Sequence, residues 1–241
     1  MKRIFSLVMI FLIFIFTSCG QLRMLELENF FKSNEIEANI KADIKQTGRN
    51  TSLSLGTIKK DNELLELDIN VLDYNYYLLF DFENNDVYFS DCDKNYYFKD
   101  FLKEIDLEDY EIIQKVKEIN NGVGFEISIT EIIRLVLDTL DENILDIIPK
   151  EFVGFFDDDY PNLLAKTYYS SNNKVSKIVV DCYEFASYLV LKGLLAFNGL
   201  KSFDVSFTNI KYNKDVKLKE ISYDSFILTD PLKYFEQLLK M

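Results

Sequence analysis

The sequence predicts one α+β domain, in which an antiparallel sheet of about nine strands carries helices on one side. Residues 35–45 alternate apolar and polar side chains almost perfectly, and residues 63–71 alternate again, as half-buried strands do. Between residues 129 and 147 the apolar side chains recur at intervals of three and four, which is the spacing of an amphipathic helix. No repeat or linker interrupts the chain, so residues 19–241 are predicted to form a single domain.

The first half of this domain is predicted to be a short helix followed by a meander of strands. Leucine and phenylalanine among acidic residues indicate the helix at 22–32. Gly48-Arg49-Asn50 and Asp61-Asn62 provide residue types that favour tight turns between strands. The predicted strands lie at 35–45, 50–58, 63–71, 74–82 and 86–91.

Helical spacing begins near residue 95. Apolar residues from Phe98 to Ile105 and from Ile112 to Ile119 are spaced for helices. A cleaner helix follows at 129–147, with Ser128 or Thr130 as its N-cap and Pro149 at its end. Its stripe is too apolar to face water, so this helix forms either core against the sheet or a lid over an apolar cavity.

The last third of the chain returns to strand-like patterns. Residues 184–197 fit a strand or a helix equally well, and Pro231 opens a final helix. The predicted strands lie at 163–169, 174–183, 203–212 and 216–228.

The composition argues against several classes of function. The chain has no His, which removes Ser–His and Cys–His catalysis and every His metal ligand. Its net charge of −13 disfavours nucleic acid as a partner. The acidic run 157–159 lacks the Gly and the ligand spacing of a calcium loop. We therefore expect a protein that is not an enzyme and that has no catalytic residues, no metal site and no cofactor.

Residues 1–18 are predicted to be a bacterial lipoprotein signal peptide. Two cations, Lys2 and Arg3, precede the apolar stretch Ile4–Phe16, which is too short to span a bilayer. The Thr17-Ser18-Cys19 sequence that follows resembles a lipobox, whose Cys is acylated with chains such as palmitate. An ordinary cleaved secretory signal is the alternative. With Cys19 lipidated, the mature protein is anchored to a membrane of the bacterial cell envelope.

Gly20 bears on which membrane the protein reaches. The residue after the lipidated Cys is Asp in the inner-membrane retention signal of enteric bacteria, and here it is Gly. This difference favours the outer membrane over the inner membrane. Both the periplasmic face and the cell surface are compatible with the sequence.

Two cysteines remain after lipidation, Cys92 and Cys182. They either pair in the oxidising envelope or stay as two buried thiols. Asp91 and Asp181 precede them, and neighbouring negative charge raises a thiol pKa and weakens the nucleophile. Neither cysteine is therefore expected to be catalytic.

The chain is rich in aromatic side chains, with 21 Phe and 15 Tyr, and these provide a large apolar surface. A sheet of this kind with helices on one side forms a cup, and a cup that its own side chains do not fill binds apolar ligands. The alternative is a cup filled by core side chains. The ligand-binding candidates on the predicted inner face are Ile40, Leu67, Ile69, Val205 and Phe207.

The order of elements and the C-terminal sequence resemble the LolA/LolB lipoprotein-carrier family. Residues 203–231, FDVSFTNIKYNKDVKLKEISYDSFILTDP, look like the family's closing segment, and Ile40 to Ile58 with Gly56 is similar to its first strands. The matched positions are Phe207, Asn209, Ile210, Asn213, Phe226 and Pro231. The resemblance implies an antiparallel sheet curved into an incomplete β-barrel covered by helices. It also implies that the concave face holds lipoprotein acyl chains, with a lipidated member acting as the acceptor.

Two functions follow as hypotheses. In the first, a membrane-anchored envelope lipoprotein binds acyl chains or lipoproteins in an apolar cavity, as in LolA/LolB-like trafficking. In the alternative, a surface-exposed lipoprotein acts as a protein-interaction or adhesion module. A carrier needs an unfilled apolar cavity, whereas an adhesin has a packed interior and an apolar patch outside.

Overall fold

The described residues are arranged as one large β-sheet with a few helices. The computed structural model describes residues 22–71, 74–91, 93–101, 110–119, 122–139, 160–172, 174–193, 195–230 and 233–234. Within these ranges the strands β1 to β12 are Glu35–Gln46, Arg49–Asp61, Leu64–Val71, Tyr74–Asp81, Asp86–Ser90, Asn95–Phe98, Ile113–Ile119, Gly122–Ile127, Leu163–Tyr169, Val175–Asp181, Leu200–Tyr212 and Ile227–Leu228. The helices α1 to α3 are Leu22–Lys32, Ile129–Thr139 and Tyr183–Leu191, and a 3₁₀ turn lies at Tyr223–Ser225.

The strands form one open sheet in the order β12-β6-β5-β4-β3-β2-β1-β11-β10-β9-β8-β7. Each neighbouring pair is antiparallel except β12 and β6, which run parallel. The two outermost strands, β12 and β7, do not meet, so the sheet is not closed. The expected α+β architecture, an open antiparallel barrel with helices, is thereby confirmed.

One face of the sheet, here called the inner face, carries α1 and α2. Residues paired across antiparallel strands point to the same side, so the register defines each face. A single row on the inner face crosses eight strands from β8 to β4. Its members are Val123, Thr167, Ile178, Phe207, Ile40, Gly56, Ile69 and Tyr76.

The hydrophobic core lies where the helices cover β8 to β11. Leu27 and Phe30 of α1 and Leu135 of α2 are buried there against the strands. The strand side chains in this core include Val123, Phe125, Ala165, Ile178 and Val180. Burial of such side chains is the main stabilising contribution to the fold. In α2, Ile129 and Leu135 are buried and Ile132 packs against the core, so this part of the apolar stripe is core.

The start of α2 follows the sequence expectation. The Ser128 hydroxyl accepts a hydrogen bond from the Glu131 backbone N–H at 3.2 Å, which is an N-cap. The Thr130 hydroxyl instead accepts from the Tyr160 N–H at 3.1 Å. Residues 140–159, with Pro149 and the acidic run 157–159, lie outside the described residues.

In the middle of the chain, the helix predicted from Ile112 to Ile119 is wrong, and the one predicted from Phe98 is wrong at its start. Phe98 ends strand β6, and Ile113 to Ile119 form β7. Strand β8 at Gly122–Ile127 is an element that the sequence pattern does not predict. Residues 102–109 lie outside the described residues.

The predicted strand at 216–228 is also wrong over most of its length. Residues 215–226, here called the strap, contain no strand and only the short 3₁₀ turn, and β12 follows with two residues. The strap crosses the outer face of the sheet, since the Lys219 N–H donates to Glu66 on β3 and Phe226 contacts the Tyr88 ring on β5. Its contacts with the sheet involve the Glu66 side chain and the Tyr88 ring rather than a ladder of backbone hydrogen bonds.

Candidate functional site: the open inner face

The inner face is divided into a covered part and an open part. Val123, Thr167 and Ile178 are buried under the helices, whereas Ile40 and Ile69 in the same row are only half-buried. We call ten half-buried apolar or aromatic inner-face residues of β1 to β6 the open inner face. Its members are Ile40, Ile58, Leu65, Leu67, Ile69, Tyr76, Leu78, Phe80, Phe89 and Tyr96.

All five ligand-binding candidates lie on the inner face. Ile40 on β1 is directly opposite Phe207 on β11, and Ile69 on β3 is separated from Ile40 by Gly56. Leu67 lies two residues before Ile69 on the same strand, opposite Ile58 and Leu78. The structure thus brings together Ile40, Leu67 and Ile69 as parts of one continuous surface.

The two β11 candidates mark the border between the covered and open parts. Val205 faces Ala42 and Val180, and Phe207 packs against the core while remaining half-buried. Core side chains accordingly fill the cup at β8 to β11, whereas at β1 to β6 several inner-face residues are only half-buried. The alternative of a cup filled by its own side chains therefore holds for β8 to β11, and ligand binding at β1 to β6 stays a prediction.

Several residues of the open inner face cannot be recognised from the sequence pattern. Strand β4 has apolar or aromatic residues at nearly every position, so alternation does not show which of them face inward. The register with β3 places Tyr76 opposite Ile69 and Leu78 opposite Leu67. Tyr76 and Phe89 then stack with ring centroids 6.4 Å apart, and Phe89 and Tyr96 follow at 6.0 Å. Aromatic rings therefore extend the open inner face to β6.

A buried lysine lies at one end of the open inner face. Lys60 is opposite Ile36 on one side and Leu65 on the other, and it is 2% exposed. Its ammonium donates a hydrogen bond to the Ser33 carbonyl oxygen at 2.9 Å. Burial lowers the Lys60 pKa, and the nearby Glu63 carboxylate opposes this effect only in part.

Other charged side chains are placed away from this surface. Glu66 and Asp68 on β3 alternate with Leu65, Leu67 and Ile69 and so point to the outer face. Two charged residues lie on the inner face among the described strand residues of β1 to β6. They are Lys60 and the exposed Arg49 at the start of β2. The open inner face is therefore apolar with one buried cation.

The remaining sequence-predicted features lie elsewhere or outside the described residues. Residues 1–18, Cys19 and Cys92 are not among the described residues. Cys182 is a free, half-buried thiol, and burial raises its pKa to about 11. No described helix is both long and apolar enough to cross a membrane.

Comparisons with known proteins find weak structural similarity. A DUF1329 family protein from Desulfovibrio piger is 9% identical, with 80% of this chain and 91% of that chain covered and a TM-score of 0.26. A putative outer membrane lipoprotein-sorting protein domain from Vibrio parahaemolyticus is also 9% identical, with 76% and 87% covered and a TM-score of 0.21. No protein-family model and no curated protein matches the chain. These TM-scores are too low to establish a common fold or function.

Proposed function

We propose that this protein is a membrane-anchored envelope lipoprotein that binds acyl chains, free or attached to lipoproteins, on the open inner face. The observation that carries the proposal is the change in burial along one row, from buried Ile178 through half-buried Ile40 to half-buried Ile69. Partly accessible apolar side chains that form one continuous surface are the lining that a site for an apolar ligand needs. Its continuity over several strands favours a long flexible apolar ligand.

Binding in this proposal is physical and involves no chemical step. An acyl chain that leaves water for an apolar surface gains about 0.8 kcal/mol for each buried methylene group. Loss of translational freedom and ordering of the chain reduce this gain. The proposal accordingly assigns no catalytic residue, metal or cofactor, and it treats the protein as a carrier or acceptor rather than an enzyme.

The membrane anchor in this proposal is the lipidated Cys19, with the outer membrane favoured by Gly20. Only 2 residues separate Cys19 from the start of α1 at Leu22. The domain would then lie close to the bilayer, where acyl chains are abundant.

Two isoleucines in one row provide a matched test. Ile178→Asp puts an unpaired carboxylate into the core, which we expect to cost several kcal/mol and to unfold the domain. Ile69→Asp puts the same group on the open inner face, where water solvates it, so the domain stays folded but loses its ligand. Thermal melts and binding of a fluorescent fatty acid measure both effects. Parent protein that binds no fatty acid, together with a collapsed Ile69→Asp melt, would contradict the proposal.

A protein-interaction module remains the second candidate, because an exposed apolar pair lies on an edge strand of the sheet. Ile227 and Leu228 of β12 are 62% and 66% exposed at one edge of the sheet. Exposed apolar residues on an edge strand favour pairing with another chain. A folded parent protein that binds no acyl chain would favour this candidate over the first.

A further inference from the structure

A small groove lies on the outer face of the sheet, over β8. Val123 of this strand points inward, so Gly124 after it is on the outer face. Because Gly124 has no side chain, a cavity of about 290 Å³ is present there between β7 and β9. The apolar side chains of Ile119 and Leu164 border this cavity. Its volume suits a small ligand group rather than a whole lipid.

Two exposed lysines flank Gly124. The register places Lys117 of β7 and Lys166 of β9 directly opposite this glycine, one on each side. Both lysines border the groove. Their Cα atoms are about 10 Å apart at the usual spacing of strands, so two lysine side chains can reach one ligand group over Gly124.

The charge of these two lysines is not neutralised by an acid in contact with them. Glu126 is the acid that borders the groove, and it is already paired with Lys115 at 3.0 Å, which holds the pKa of that carboxyl below its ordinary value. Among the described residues, neither Lys117 nor Lys166 forms an ion pair within 4 Å. Three lysines and one glutamate thus give the groove a positive charge, although the net charge of the chain is −13.

We propose that this groove binds the phosphate group of an anionic lipid head, with the phosphate between Lys117 and Lys166. Phosphate oxygens accept charge-assisted hydrogen bonds from ammonium groups. The carbon atoms next to the phosphate would contact Ile119 and Leu164, and these apolar walls favour a lipid head over free phosphate. The groove is on the other face of the sheet from the open inner face and takes a different part of a lipid, so this inference goes beyond the proposed function.

A protective role for Lys117 is the alternative that the test must separate from ligand binding. β7 is the outermost strand of the sheet, and lysines on edge strands hinder pairing with another chain. Such protection requires neither the groove over Gly124 nor Lys166, which lies two strands further in. A phosphate site requires both.

The first measurement compares three ligands on the parent protein by isothermal titration calorimetry. They are dihexanoyl phosphatidylglycerol, dihexanoyl phosphatidylcholine and inorganic phosphate, each lipid below its micelle-forming concentration. The two lipids have the same acyl chains, so chain binding at the open inner face contributes equally to both. We expect the phosphatidylglycerol to bind about tenfold more tightly than the phosphatidylcholine, whose choline cation the lysines repel, and inorganic phosphate to bind more weakly than the phosphatidylglycerol.

Equal affinities for the two lipids would overturn this inference. Inorganic phosphate that binds as tightly as the phosphatidylglycerol would overturn the assignment to a lipid head. A fluorescent fatty acid measured on the same protein reports on the proposed function separately, because its carboxylate and chain do not require the groove.

Variants of the groove provide the second measurement. Gly124→Ala adds a Cβ that would lie 3.2 Å from Ile119 Cγ2, the end of a side chain, so the variant should fold while the groove is partly filled. We expect Gly124→Ala and Lys166→Met each to reduce the preference for phosphatidylglycerol to about twofold or less, with unchanged fatty-acid binding. Lys45→Met, on the outer face of β1 and outside the groove, is the control and should keep the tenfold preference.

Thermal melts identify any variant that does not fold. Lys166 is exposed, so Lys166→Met decides the question if Gly124→Ala is unfolded. A folded variant of either kind that keeps the full preference would overturn the inference and leave Lys117 with the protective role.

Discussion

At the residue scale, Gly56 determines how closely β2 and β3 approach. A Cβ built at this position would lie 1.8 Å from the Asp68 carbonyl oxygen, and Gly56 has φ +132°. The pairing of β1 with β2 shifts register immediately after Ile40 and Gly56, which is a β-bulge. Glycine here allows the bulge and also leaves space between Ile40 and Ile69 on the inner face.

We expect Gly56→Ala to destabilise the domain by several kcal/mol, because the added Cβ collides with backbone and the φ value disfavours any L side chain. Gly48→Ala is the matched control. Gly48 has φ +77°, but no atom lies within 4 Å of the place that an added Cβ would occupy, so its cost should be about 1 kcal/mol. Urea unfolding of both variants measures the difference. Equal midpoints would show that β2 and β3 adjust to a side chain at position 56.

Cys182 gives a prediction about reactivity and pH. Burial raises the pKa of its thiol to about 11, and Asp181 and Asp204 add to that effect. At pH 7 only about one thiol in 10,000 is then ionised, compared with a few per cent of an ordinary thiol. Alkylation of the native protein, followed by mass spectrometry of the Cys182 peptide, should be slow at pH 7 and should accelerate about tenfold per pH unit up to about pH 10.

Denatured protein provides the reference for this measurement. Its Cys182 should react with an ordinary thiol pKa, so its alkylation rate levels off near about pH 9. Native and denatured rates that agree at pH 7 would contradict the burial of this thiol.

At the scale of elements, the strap is attached to the outer face through a buried carboxylate. Glu66 is 1% exposed, forms an ion pair with Lys59 at 3.0 Å, and accepts a hydrogen bond from the Lys219 N–H at 2.6 Å. Lys59 in turn donates to the Lys217 carbonyl oxygen at 3.1 Å. Val216, which is 7% exposed, adds an apolar contribution. Glu66 and Lys59 therefore hold the strap against β2 and β3.

Removing this carboxylate should loosen the strap. We expect Glu66→Ala to cost about 2–4 kcal/mol, since it leaves a partly buried Lys59 and the Lys219 N–H without their acceptor. Urea unfolding and the rate of tryptic cleavage at Lys217 and Lys219 report the two effects. Glu220→Ala, an exposed acid in the strap, is the control and should stay within about 0.5 kcal/mol of the parent. A Glu66→Ala protein that behaves like this control would show that other contacts hold the strap.

The sequence predicts those elements whose alternation is regular. In β1 and β3, apolar side chains on the inner face alternate with mostly charged side chains on the outer face, so both strands show a period of two. β7 has the apolar spacing of a helix because its pairing with β8 shifts between Gln114 and Lys117, with Lys115 at φ +50°. An extra residue in a strand interrupts the alternation of apolar and polar side chains, so a search for that alternation does not identify the strand.

The candidate site could be predicted only in part for a similar reason. Alternation assigns Ile40, Leu67 and Ile69 to one face of their strands, and all three do lie on the inner face. It does not show that α1 and α2 cover β8 to β11 and leave several inner-face residues of β1 to β6 only half-buried. That division depends on packing between residues far apart in the chain, such as Leu27 with the β8 and β10 side chains.

At the scale of the whole molecule, the open sheet combines a half that the helices cover and a half with partly accessible apolar residues. The covered half concentrates buried side chains from β8 to β11 and two helices, which provides stability. The open half extends from β1 to β6 and keeps apolar residues in partial contact with water. Under the proposed function, an apolar ligand would bind to and leave the open half while the core stays folded.

Photoaffinity labelling with a light-activated fatty acid tests the central claim most directly. After irradiation of the native protein and digestion, mass spectrometry locates the labelled residues. We predict label on β3 to β6, in residues 64–98, and at Phe207, with competition by unlabelled dodecanoic acid. Label confined to Ile227 and Leu228 at the sheet edge, or no label that dodecanoic acid displaces, would contradict binding at the open inner face.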